Sequence, residues 1–87
     1  MSNFPEILIE DSKKKVSEID KIMSKVEEIS SERGKKQSEL ILLNLEGKQD
    51  EAFDKYLEIE TLNREIENLQ NEGLKILAKA FMKIVSS

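Results

Sequence analysis

Apolar residues recur at steps of three and four through both halves of the chain, and a short stretch near its middle interrupts them. In the first half Ile9, Ser12, Val16, Ile19, Met23 and Val26 keep this spacing, with Ile22 and Ile29 widening the stripe. That period belongs to one face of an α-helix. Pro5 is tolerated in a first helical turn, and Glu6, Glu10 and Asp11 follow close behind, which places the start at about residue 5. In the second half Phe53, Tyr56, Leu57, Ile59, Leu62, Ile66 and Leu69 repeat the spacing. Beyond them Leu74, Ile76, Leu77, Ala80, Phe81, Ile84 and Val85 form a broader stripe. Between the two halves the dense run Leu40 to Leu45 stops before Gly47, the residue suited to the left-handed conformation that closes a helix. Asp50 and Glu51 then favour the positive end of the next helix dipole. The pattern predicts a helix over about 5–45, a corner over about 46–49 and a helix over about 50–85. The expected fold is all-α, a long antiparallel helical hairpin in a single domain spanning 1–87.

Two places could interrupt these helices and make a third. Ser30 to Glu39 contains no apolar side chain and includes Gly34, which costs roughly 1 kcal/mol relative to Ala inside a helix. With no Pro and no two-residue turn signal, the segment favours one continuous helix, kinked or straight, with a polar waist. Gly73 marks either a break or a point of close helix approach.

Folding the chain at Gly47 to Lys48 pairs residue i with residue 95 − i, setting Val26 near Leu69, Ile19 near Ile76 and Arg33 near Leu62. Apolar meets apolar over most of the length. At the waist Arg33 and Lys36 can lay their methylene stems over Ile59 and Leu62 and keep their charges in water. The same register leaves a surplus. Leu40, Ile41, Leu42, Leu43 and Leu45 point around most of the first helix, and one stripe suffices to face Phe53 and Leu57. The stripe from Leu74 to Val85 likewise exceeds what Ile9 to Ile22 can cover. Soluble monomers rarely expose large apolar patches, so the expectation is a homodimer in which two hairpins form a four-helix bundle. Met23 and Met82, at stripe positions, are expected to fill the core.

Composition agrees with long helices: Ala, Glu, Lys, Leu and Arg supply 41 of the 87 residues. The formal net charge of −4 argues against nucleic acid, which demands a concentrated basic surface. The charge is uneven: residues 46–72 carry −6, and residues 73–87 carry +3 with no acid. An antiparallel dimer would bring the unlike ends together. With neither Cys nor His in the chain, disulfides, a serine–histidine nucleophile and the commoner metal sites are excluded. The acids Glu58, Glu60, Glu65 and Glu67 then read as a solubilising face. No apolar run approaches the roughly 20 residues needed to span a bilayer, and no secretory signal pattern opens the chain. A cytoplasmic location, no membrane span, no metal and no cofactor are therefore expected.

Two local resemblances bear on function. Gly47, Ala52 and Tyr56 have the spacing of the helix-to-helix turn in a tetratricopeptide repeat, which implies close helix approach at Ala52 and a ring packed back over the turn; no second copy occurs at a period of about 34 residues. The segment from Ser12 to Leu43, with the ending Glu72 to Val85, looks like the all-helical chorismate mutases. That likeness implies a dianion pocket at the waist from Arg33, Lys36, Gln37 and Arg64. The chain has only two Arg, however, and Ser30 and Ile41 stand where that family's second Arg and its Lys would fall.

The leading expectation is a non-enzymatic protein-interaction module: an adaptor, chaperone or regulator that binds itself or another protein by helix–groove contact. A small helical enzyme and a structural subunit of a coiled-coil assembly are the alternatives. The expected interface residues are Leu42, Leu45, Phe53, Tyr56, Leu57, Leu77, Phe81 and Ile84.

Overall fold

The computed structural model describes the backbone over residues 4–86 and side-chain exposure over 10–82. It consists of two helices, α1 (Phe4–Leu45) and α2 (Gln49–Ser86), packed antiparallel in a rod of 71 × 17 × 11 Å. The predicted hairpin is therefore the observed fold, with its corner confined to three residues.

The corner is closed by backbone hydrogen bonds that require Gly47. The Lys48 amide donates to the Leu43 carbonyl at 2.9 Å and the Gly47 amide to the Asn44 carbonyl at 3.1 Å. This paired arrangement places the residue after the helix in the left-handed region, and Gly47 has φ of +76°. The Lys48 carbonyl then accepts from the Ala52 amide at 2.9 Å and opens α2. Asp50 and Glu51 occupy the first turn of α2, where their charges meet the unpaired amides.

Both helices run unbroken through their glycines. A Cβ on Gly34 would meet nothing within 4 Å, and the Ser38 hydroxyl donates to the Gly34 carbonyl at 3.3 Å. Gly73 is a point of close approach: a Cβ there would lie 3.8 Å from Cγ2 of Ile22.

The buried and half-buried positions repeat every seven residues. On α1 the repeat takes in Ile19, Ile22, Val26, Ile29, Arg33, Lys36, Leu40 and Leu43, and on α2 Ala52, Lys55, Ile59, Leu62, Ile66, Leu69, Gly73, Ile76 and Ala80; Asp11, Lys15, Ser30, Glu60 and Asn63 are half-buried besides. The 95 − i register brings these two sets into line, and cross-helix bonds between Arg33 and Asn63, Lys36 and Glu58, and Lys55 and Glu39 hold it within one residue. Ile29, Leu62 and Ile66 form the centre, with Val26 and Leu69 packed against it.

The structure corrects three expectations about the seam. Val16 and Met23 lie outside it, and Ile22 and Ile29 lie within it. The register sets Ile22 opposite Gly73, where a branched side chain can enter, and Met23, one position on, falls beside the seam. Met23 and Met82 are exposed and fill no core. At the corner Leu40 and Leu43 face Ala52 and Lys55, and Phe53 and Leu57 point to solvent. Ile9 and Ile84 carry side chains outside the described range.

Candidate protein-binding surface

Because the seam repeats every seven residues, the positions beside it form two flanks of the rod, and the two differ in chemistry. One flank presents Glu18, Lys25, Glu32, Glu39 and Glu46 from α1 and Glu51, Glu58, Glu65, Glu72 and Lys79 from α2. Every position is charged. The other presents Val16, Met23, Ser30, Gln37 and Asn44 from α1 and Tyr56, Asn63, Gln70 and Leu77 from α2. No position there is charged.

The charged flank is tied across the helices near the corner. Lys55 Nζ lies 2.8 Å from a Glu39 carboxylate oxygen and 3.2 Å from Glu58, and Lys36 Nζ lies 3.2 Å from the same Glu58 oxygen. The hydrogen bond from Lys55 holds the Glu39 carboxyl below its ordinary range, and hydrogen bonds from Lys55 and Lys36 do the same for Glu58. The two carboxylates in turn raise the Lys55 ammonium. At the corner Lys48 is raised by its hydrogen bond with Glu46, 3.2 Å away.

The uncharged flank carries two apolar patches. A groove of about 510 Å³ at the end far from the corner is lined by Ile22, Met23, Val26, Gly73, Leu74 and Leu77 among others. A shallower depression beside the corner is lined by Leu40, Asn44, Gln49, Ala52, Phe53 and Tyr56. The Phe53 and Tyr56 rings stack there with centroids 6.4 Å apart, and Ala52, in the same depression, is buried. The row one step outward, which borders this flank, holds Ile41, Phe53, Leu74 and Phe81 together with the charged Lys13, Asp20, Glu27, Glu60 and Glu67. Of the twelve large apolar side chains exposed among the described residues, eight belong to it or its border. Phe53 is 60% exposed and Phe81 67%.

The residues expected at an interface fall in three places. Tyr56 and Leu77 are on the uncharged flank, and Phe53 and Phe81 border it. Leu42 lies on the charged side, in a hollow with Glu39, Glu46 and Glu51. Leu45, the most exposed at 79%, and Leu57 face outward, away from the seam. Ile84 is in α2, but its side chain lies outside the described range. Sequence reasoning missed Ile41, Val16, Met23 and Leu74 as members of the same surface. Their spacing of seven from flank or border positions was the available signal.

The four waist residues do not converge. Arg33 is half-buried in the seam and donates from Nη1 to Asn63 Oδ1 at 2.8 Å. Lys36 pairs with Glu58 on the charged side. Gln37 is exposed on the uncharged flank, and Arg64 is exposed on the outer face of α2. Among the described residues no group of three or more acids could hold a metal ion, and no helix is long and apolar enough to cross a membrane. Comparison with protein families, with curated proteins and with solved structures gives no match to the chain.

Proposed function

We propose that the hairpin is a protein-binding module that acts through its uncharged flank and carries out no catalysis. One observation supports this above the others: most of the exposed apolar surface is gathered along a flank whose own positions hold no charge and along the row bordering it, opposite a flank in which every position is charged. Burying a charge without a partner is costly and burying apolar area is favourable, so the two flanks differ in their capacity to be covered. The occupant is a helix or helix pair laid along the rod, the mode in which an amphipathic helix enters an apolar groove. Phe53, Tyr56 and Phe81 are the expected anchors, since aromatic side chains dominate binding energy in such contacts. The waist cations contribute to the hairpin itself, being engaged with Asn63 and Glu58. An adaptor, chaperone or regulator in a reducing compartment fits this reading.

The test compares three proteins as bait in extract from the native cell. The wild type and a Leu42→Asp/Leu57→Asp control, altered off the flank, should recover the same partner. A Phe53→Asp/Leu77→Asp variant should lose it by tenfold or more. Equal recovery by all three would contradict the flank's role.

A further inference from the structure

We infer that the occupant of the uncharged flank is a second copy of this chain, lying antiparallel to the first, so that α1 packs on α1 and α2 on α2. This rests on the reading of the flank as a docking surface and names its partner. The inference comes from the order of residues along the flank and its border.

On α2 that order is Phe53, Tyr56, Glu60, Asn63, Glu67, Gln70, Leu74, Leu77, Phe81. Reversed against itself about Glu65, it is self-complementary. Phe53 meets Leu77 of the second copy, and Tyr56 meets Leu74. Towards the centre Glu60 meets Gln70 and Glu67 meets Asn63, so each carboxylate faces an amide able to donate to it. No two like charges are opposed in these layers.

The first helix gives the same centre independently. Ile41 meets Val16 of the second copy and Gly34 meets Met23 when α1 is reversed about a point between Glu28 and Ile29. The hairpin register sets Glu65 opposite Ser30, so the two helices agree on the level of the two-fold axis to within two residues. Nothing in the hairpin itself demands that agreement.

Charge selects this arrangement over the parallel one. A two-fold axis along the rod would lay α2 on α1 of the second copy and keep corner beside corner, so that the corner halves, residues 23–72 at −6, would meet each other. Reversal sets acidic against basic at both ends, an effect that survives at the separations of packed helices although salt weakens it. The area is also sufficient. The overlap spans about 33 residues of each helix, or about 50 Å, and the rod is 17 Å across. The covered face is then roughly 850 Å² per copy, against about 800 Å² per partner in a standard stable interface.

The experiment joins mass with crosslinking. Sedimentation equilibrium should give about twice the 10.0 kDa chain mass. Phe53→Asp and Leu77→Asp should each reduce it to that of one chain with helical circular dichroism retained, because both side chains are exposed in the single hairpin. As the chain has no cysteine, Ser30→Cys and Gln37→Cys each provide one reporter thiol. A short bis-maleimide should join Ser30→Cys copies, which sit at the axis, at least tenfold more efficiently than Gln37→Cys copies, which lie on the order of 25 Å apart. Equal crosslinking at the two positions would overturn the antiparallel arrangement. A single-chain mass for the wild type would overturn self-association and leave the flank's capacity to bind a different protein to the bait comparison.

Discussion

Gly47 is the residue the fold depends on most locally, and its role can be tested apart from packing. Its φ of +76° is disfavoured for any residue with a Cβ, yet a Cβ there would meet nothing within 4 Å. Gly47→Ala is therefore expected to lower stability by about 1–2 kcal/mol, measured by urea unfolding, through backbone conformation alone. Gly73 is the opposite case. Its helical backbone accepts a Cβ, and the nearest atom, Ile22 Cγ2, would sit in ordinary contact at 3.8 Å. Gly73→Ala should raise stability by about 1 kcal/mol; a loss would show that the seam is closed more tightly than this contact implies. Gly47, with Asp50 and Glu51 after it, was legible in the sequence because turn chemistry is local. The placing of Met23 was not. Ile22 and Met23 are adjacent and both apolar, so helical spacing cannot choose between them, and the choice falls to the partner helix, where Gly73 admits Ile22 to the seam.

Each helix owes its position to a seam that is thin and partly polar. Arg33, Lys36 and Lys55 occupy seam positions where a longer-lived core would place aliphatic side chains, and around them Lys36, Glu39, Lys55 and Glu58 form the ion network of the charged flank. Glu39 and Glu58 have carboxyls held below the ordinary value of 4.5 in the folded chain. Their stabilising contribution is thus present above that value and is lost as pH falls through their depressed folded values. Lys55 is raised, so its share is retained until pH climbs through that raised value, beyond the ordinary 10.5. Thermal melts in low salt should show the wild type losing more stability between pH 6 and pH 3 than a Glu39→Gln/Glu58→Gln variant. Equal losses would mean that these exposed pairs contribute nothing, as many surface pairs do. The long helices and their register were legible because the apolar period is strong and the corner fixes i to 95 − i. Lys55 was hidden as a seam residue, because Phe53, Tyr56 and Leu57 around it are the more apolar side chains.

At the scale of the whole molecule the hairpin is a rod with two unlike flanks. Its described core is Ile29, Ala52, Ile59, Leu62 and Ile66, and no side chain among them is sealed from solvent as those of larger domains are. The expectation of surplus apolar surface came directly from the sequence. Its location did not, because residues on one flank alternate along the chain with seam and outward residues, and only the three-dimensional register separates them. That is why Leu45, the most exposed of the large apolar residues described, is grouped with Phe53 by sequence although the two face different directions. The central claim is that the uncharged flank is covered when the protein is at work, and two methionines allow it to be tested in one sample. Met23 lies on that flank and Met82 lies off it, and in the single hairpin they are 56% and 65% exposed. Mild peroxide oxidation at working concentration, read residue by residue by mass spectrometry, should modify Met82 at least fivefold faster than Met23, with the difference abolished by Phe53→Asp. Equal rates in the wild type would contradict the claim.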